Sequence, residues 1–348
     1  MKKIFNYFAI AISAFAMLSC NKEAAPIISG SYENDSNNPV IMTKSSPIDT
    51  IVCPKIVAYV ETNDTNPLNA GDYFYENTTI PVIDIVELFA ANIHTETVAG
   101  ATRPTLYLND KLTNVLENNG YLTYVAPLQA KGIKVLLTIL GDWAHFGVAS
   151  MSDTQSTQFA TILAYVVDRY GLDGIGFDDE YANYYWYSYV SGSYGSLIAK
   201  LRTLLPNKLI TVFQWGNYSQ INSTQGGYID YAYHGWFGYN SYYSSSYISG
   251  VGTSQWSPIS LQLGQVYTDN QLETIAENAA DAKAGGYGAV MTFNLRQSSD
   301  VDPVPVLQAI VDGFGTDGVV DCNDGDRDRD ATIVSSGYTI TYAMATAN

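Results

Sequence analysis

The sequence predicts a barrel of eight parallel strands wrapped by helices, the (β/α)8 class, on three observations. Eight short apolar runs recur along the chain. They are continuous rather than alternating, which is the signature of strands buried on both faces. Helical periods lie between several of them. The chain has 348 residues, 47% of them hydrophobic, enough to bury the core of one barrel of roughly 200 to 300 residues with extensions at both ends.

Residues 1–19 stand apart from this pattern. Lys2 and Lys3 precede an apolar run over 4–18, and Ser19 and Cys20 follow where small residues mark signal cleavage. The run is too short for a membrane-spanning helix, which needs about 20 apolar residues. It is similar to a bacterial lipoprotein signal, in which Cys20 becomes the lipidated N-terminus; plain secretion is the alternative. Residues 20–50 (NKEAAPIISGSYENDSNNP and beyond) hold Ser, Asn, Pro and Gly without an apolar period, so a flexible tether is expected there. The folded part then runs over 51–315. Cys53 and Cys322 lie near its two ends; in an exported protein they could pair or remain unpaired, because sequence does not supply the distance between them.

The predicted strands are residues 55–61 (KIVAYVE), 82–89 (VIDIVELF), 133–140 (IKVLLTIL), 172–177 (LDGIGF), 209–213 (LITVF), 228–233 (YIDYAY), 259–263 (ISLQL) and 289–293 (AVMTF). Phe159, Ile162, Leu163, Val166, Val167 and Tyr170 fall on one face of a helix, and residues 197–205 and 272–282 also have helical patterns. The stretches 215–227 (WGNYSQINSTQGG) and 238–257 are too polar or too rich in Gly for helices. An irregular barrel is therefore expected, with loops in place of the helices after strands five and six.

Composition narrows the ligand. Lys and Arg number 17 against 34 Asp and Glu, giving a net charge of -17, a field that repels phosphate backbones and anionic headgroups. Nucleic acid is excluded as a partner on this ground. Charged residues are only 15% of the chain while Tyr alone numbers 28. Flat rings and few charges suit neutral, hydroxyl-rich ligands, although Tyr is also common in ordinary cores.

Chemistry concentrates at the end of the fourth strand, in LDGIGFDDEY (residues 172–181). Side chains alternate along a strand, so Gly176, Asp178 and Glu180 point one way and Ile175 and Phe177 the other. In a barrel the first set faces the interior, at the C-terminal strand ends where barrel active sites lie. Crowded carboxylates leaving water repel one another, which raises the proton affinity of one and leaves a general acid. A helix cap would explain one Asp but not the alternating pair, and a calcium site would need more oxygens than this segment offers.

This run resembles the catalytic strand of glycoside hydrolase family 18, and specifically of its endo-β-N-acetylglucosaminidases. The likeness extends to residues 58–69 (AYVETNDTNPLN), 87–93 (ELFAANI), 127–141 (PLQAKGIKVLLTILG), 228–234 (YIDYAYH) and 285–295 (GGYGAVMTFNL), in order over roughly 55–315. The resemblance implies a barrel without helices after strands five and six, and no metal or organic cofactor. It implies hydrolysis within the diacetylchitobiose core of N-linked glycans, with Glu180 as proton donor. The substrate's own 2-acetamido group would be the nucleophile, held and stabilised by Asp178. Substrate-binding residues are expected at Trp143, Tyr181, Trp215, His234, Trp236 and Asn294, with a structural role for His234 as the alternative. Three departures from the family's pattern stand out. Gly176 occupies a position where most of the family has an acid. Trp236 stands where relatives carry Tyr, and Asp142 and Trp143 replace a polar pair.

Five aromatic residues, Tyr184, Tyr185, Trp186, Tyr187 and Tyr189, follow the acid directly and cannot all face a core, so some are expected to stack on sugar. Asp321, Asp324, Asp326, Asp328 and Asp330 in the acidic tail (316–348) lack the Gly and closing Glu of a calcium loop and read as solvated. The whole points to a monomeric hydrolase of N-glycans, held by lipid on an outer membrane or cell surface. A glycan-binding protein without turnover and a chitinase are the other readings.

Overall fold

In a computed structural model the structure describes residues 53–296, 300–323, 327 and 336–347. The expected signal over 1–19, Cys20, the expected tether over 20–50, and Asp324, Asp326, Asp328 and Asp330 lie outside the described residues. Among the described residues no helix is long and apolar enough to cross a membrane.

The barrel is built from the eight predicted runs. Its strands are Lys55–Glu61, Ile85–Val98, Lys134–Leu140, Gly174–Phe177, Leu209–Gln214, Tyr231–His234, a bent seventh strand and Ala289–Leu295. Consecutive strands pair in parallel, and the eighth returns to the first with Lys55 opposite Ala289. The seventh is split into Trp256–Ser257, which pairs with the sixth, and Ser260–Gln262, which pairs with the eighth. Pro258 sits at the break, where its missing N–H cannot join a ladder.

Continuous apolar runs were expected because both faces are buried, and both are. Val57, Tyr59, Ile85, Leu136, Phe213, Tyr233, Ala289 and Met291 fill the barrel. Residues such as Ile56, Val86, Ile175 and Phe177 face outward into the layer shared with the helices. The helix Asp153–Arg169 buries the face read from the sequence, Phe159, Ile162, Leu163, Val166 and Val167, and starts at a Ser152–Gln155 capping box worth about 1 kcal/mol. Helices Ser193–Leu204 and Asp269–Ala284 cover the other two predicted stretches, and Val304–Gly313 closes the series. After the fifth strand there is only a 3-10 turn, Tyr218–Gln220, and one turn of helix, Ser223–Gly226; after the sixth there is the 3-10 turn Thr253–Gln255.

Three features depart from the simple alternation. The first crossover holds a 3-10 turn, Pro67–Gly71, and a short strand, Tyr73–Tyr75, instead of a helix. The second strand, expected to end at Phe89, runs on to Val98 and folds back antiparallel on Ala101–Leu108. Its two turn residues, Ala99 and Gly100, both have positive φ, as the tight hairpin turn that matches strand twist requires. The tail expected to be solvated is in part paired: Val320–Cys322 adds to Tyr73–Tyr75, and Tyr338–Ile340 adds to Leu106–Leu108.

Candidate active site

The fourth strand, Gly174–Phe177, is buried throughout. Ile175 and Phe177 pack outward, Phe177 edge-on to Tyr194, and Gly174 and Gly176 present no side chain to the interior. The Asp178 N–H still donates to the Ile139 carbonyl at 3.0 Å, so the strand's alternation continues through Asp178, which is 6% exposed, to the half-buried Glu180. Asp179, between them, serves as an anchor. One oxygen accepts the backbone N–H and the side-chain Nδ2 of Asn217, both at 2.8 Å, and the other accepts the Tyr184 hydroxyl. On the opposite flank the Gly141 N–H donates to the Glu180 carbonyl at 2.9 Å. A Cβ on Gly141 would lie 2.4 to 2.6 Å from backbone atoms of Glu180, Tyr181 and Ala182, so only glycine lets the third-strand loop approach this closely. The two acids thus ride on a segment clamped from both sides.

Burial dominates their electrostatics. Asp178 holds its proton well above the ordinary carboxylate range, first because it is desolvated and then because Glu180, Asp179 and Glu87 bear on it. Glu180 is also raised, again chiefly by burial. Strand alternation alone predicts that mutual repulsion raises the proton affinity. Desolvation is the larger cause, and repulsion adds to it. One oxygen of Asp178 is buried without a hydrogen-bond partner, an acceptor left for a donor from outside the protein. A neutral, half-buried Glu180 can give a proton and a buried Asp178 can accept a hydrogen bond, which is the division needed for acid-assisted bond cleavage beside a developing positive charge.

The expected cleft residues divide into two groups. Trp143 is 71% exposed and packs against the exposed Tyr181 with ring centroids 5.1 Å apart. Trp215 and Trp236, from the loops after the fifth and sixth strands, are also solvent-facing and meet edge to face at 5.5 Å. Trp143, Tyr181 and Asn294 all have positive φ, between 59° and 66°. Asn tolerates that conformation, but the aromatic pair is strained by about 1 to 3 kcal/mol each. The Asn294 Oδ1 is buried and unpartnered. His234 belongs elsewhere. It is 1% exposed, its Nδ1 accepts the Trp236 N–H at 3.2 Å, and its ring packs against Tyr243 and Trp256. Burial lowers its pKa to about 4. The expectation of a cleft-lining His234 is therefore corrected to a neutral, buried support for the loop that carries Trp236.

The aromatic run after the acid is irregular chain. Tyr185 and Trp186 are exposed, Tyr184 and Tyr189 lean on each other, and Tyr187 packs on Phe146. Sequence reasoning missed two acids. Glu61, at the mouth end of the first strand, is largely buried and its carboxyl is raised by burial. Glu87, within the second strand, is fully buried. Both are acids inside otherwise apolar strands, and that mismatch was the available signal. His94, Asp142 and His145 are the cluster of metal-type donors among the described residues. Asp142 Oδ2 lies 2.9 Å from His94 Nε2 and 2.6 Å from His145 Nδ1, and Asp142 Oδ1 accepts two backbone N–H groups. The donors of this cluster are spent on one another, tying the Trp143 loop to the second strand.

The chain matches no family model. It is 35% identical over 259 residues to an endo-beta-N-acetylglucosaminidase of Flavobacterium sp. (strain SK1022), covering 72% of this chain and 77% of that protein. It is 29% identical over 334 residues to endo-beta-N-acetylglucosaminidase F1 of Elizabethkingia meningoseptica, covering 89% and 94%. Among solved structures it resembles Bacteroides thetaiotamicron EndoBT-3987 with Man5GlcNAc product (TM-score 0.60, 27% identity, 78% of this chain and 62% of that chain). The same protein in complex with Man9GlcNAc2Asn substrate gives a TM-score of 0.59 at 25% identity, over 80% of this chain and 70% of that one.

Proposed function

The chain belongs to the endo-β-N-acetylglucosaminidases of glycoside hydrolase family 18, and from that premise we propose that it cleaves the β-1,4 bond of the diacetylchitobiose core of N-glycans, with high-mannose glycans as substrates. The observation that carries this reading is the alternating pair at the mouth of the fourth strand: a half-buried Glu180 beside a buried Asp178 with a vacant acceptor. Glu180 protonates the oxygen between the two N-acetylglucosamines. The acetamido carbonyl of the substrate attacks the anomeric carbon as that bond breaks, giving an oxazolinium ion. Asp178 accepts the acetamide N–H and stabilises the positive charge. Water, activated by the now ionised Glu180, then opens the ring with retention. The exposed indoles of Trp143, Trp215 and Trp236 and the ring of Tyr181 supply stacking faces for sugar, and Asn294 supplies an amide. High-mannose specificity is supported by the Man5GlcNAc and Man9GlcNAc2Asn ligands of the similar structures. Retention of both acids argues against a protein that only binds glycan.

The reading extends to location. The basic start, apolar run and Cys20 support a lipoprotein of the outer membrane or cell surface. Its catalytic part is tested by incubating residues 21–348 with ribonuclease B and with a complex-type glycoprotein. Loss of one glycan's mass from ribonuclease B alone, leaving a single N-acetylglucosamine on Asn, is expected. Intact ribonuclease B would overturn the reading.

A further inference from the structure

Inside the barrel, Thr138, Gly176 and Thr211 lie side by side on the third, fourth and fifth strands. Of the three, only Gly176 carries no side chain. The space it leaves is taken by Glu87 from the second strand. A Cβ on Gly176 would lie 2.3 Å from Glu87 Oε2 and 2.8 Å from Thr211 Oγ1. The Thr138 hydroxyl donates to Oε2 at 3.0 Å and the Thr211 hydroxyl to Oε1 at 2.5 Å. Gly176 and Glu87 are therefore complementary, since no larger residue fits at 176 while the Glu87 carboxyl is there. Asp178 stands two residues above Gly176 on the same face.

We propose that Glu87 is a positioning residue of this site: its carboxyl group, delivered from the second strand into the space a side chain at 176 would fill, sets the charge state of Asp178. The proposal rests on the reading of Asp178 as the group that stabilises the acetamide. Several titratable groups act on these carboxyls or feel their charge. Asp178 meets Glu180, Asp179 and Glu87. Phenols feel the same charges: Tyr59 from the first strand, Tyr181, Tyr194 from its helix and Tyr233 from the sixth strand. No lysine, arginine or histidine is among them, so nothing cationic offsets a second negative charge. Two buried acids without a cation beside them ionise in turn, and the charge of one holds the proton on the other. Burial raises the Glu87 carboxyl to about 7, against the pull of the Thr211, Thr138 and Tyr233 hydroxyls. Glu87 therefore changes charge near neutral pH directly beneath Asp178, without touching substrate.

Carboxyl 13C NMR of the full chain, labelled at Asp and Glu and assigned with Asp178→Asn, tests this without relying on turnover. In the wild type the Asp178 signal should show an inflection at the pH where Glu87 titrates. In Glu87→Gln its midpoint should fall by about one pH unit or more, because a like charge has been removed. In Glu87→Ala/Gly176→Asp, where a carboxyl returns to the same space from the fourth strand, the midpoint should return toward the wild-type value. With ribonuclease B, Glu87→Gln should leave KM nearly unchanged and extend the acidic limb of the pH profile, because Asp178 then ionises at lower pH. Independent titration of Asp178 and Glu87 in the wild type overturns the proposal even if neither variant folds, and so does an unmoved midpoint in folded Glu87→Gln. Coupled titration without glycan release would leave the carboxyl pair standing and remove the hydrolase reading. Release without coupling would do the reverse.

Discussion

At the scale of single residues, the site depends on three buried or half-buried carboxyls doing different work, and each difference can be measured. Glu180→Gln keeps the side-chain shape but removes the transferable proton, so the rate of glycan release should fall by about 10² to 10⁴ while bound glycan is retained. Turnover equal to wild type would show that another group is the acid. Asp178→Asn removes the charge facing the oxazolinium, and a comparable loss is expected, with preformed oxazoline sugars still accepted. Hydrolysis at the wild-type rate would move that role to Asp179, although its oxygens are already occupied by Asn217 and Tyr184. Glu87 carries a stability signature as well. Its folded pKa of about 7 exceeds the ordinary value of 4.5, so the folded chain keeps a proton that the unfolded chain loses as pH rises between them. Stability should therefore be highest below about pH 4.5 as far as this group is concerned. It should decline by roughly 3 kcal/mol as pH rises to 7, where the folded group also ionises. Asp178, Asp179 and Glu180 are raised in the same direction. Urea unfolding of Glu87→Gln at about pH 4 and pH 8 checks this. The variant should gain on wild type at the higher pH only, and an equal difference at both would contradict the burial of a titrating carboxyl.

At the scale of elements, the strands position the acids and the loops hold them still. Gly141→Ala places a methyl group among backbone atoms that cannot rotate away. It should cost about 1 to 3 kcal/mol of stability and about 10 to 100-fold in kcat, because displacing this segment moves Glu180. A Tm shift without a kcat change would mean that the acid's position is set elsewhere. Trp143→Gly should act in opposite directions on two readouts. Relief of the positive φ should add about 1 kcal/mol to stability, while loss of the exposed indole should raise KM for glycan several-fold. The elements legible in the sequence were those whose patterns come from local burial. The eight apolar runs are visible because both faces of each strand are covered, and the helix over 153–169 because its one apolar face repeats. The continuation of the second strand to Val98 was not legible, since HTET is polar and its pairing with residues 101–108 depends on the Ala99–Gly100 turn. Asp178 and Glu180 were legible because strand alternation places them on one face. Glu87 was not, because its role is fixed by partners far along the chain, Thr211 being 124 residues away, and by an absence at Gly176.

At the scale of the whole molecule, the proposed anchoring rests on the acidic balance and the first 50 residues of the sequence. A net charge of -17 keeps the barrel from adsorbing to anionic headgroups, so any attachment must come from the other end of the chain. Cys20 follows the apolar run after a single small residue, Ser19, and precedes a polar stretch of about 30 residues. As a random chain of about 5 to 6 Å × √n, that stretch reaches roughly 30 Å. Acyl chains contribute about 0.8 kcal/mol per buried methylene, so two or more on Cys20 would attach the protein stably where a single chain would not. The repelled barrel would then stand off the surface with its cleft open to glycoproteins. Membrane fractionation of the exporting bacterium is the test. The wild type should sediment with membranes and take up radiolabelled fatty acid, and Cys20→Ala should do neither while its purified barrel retains full glycan release. A wild type found in the soluble fraction without label would replace the anchor with plain secretion.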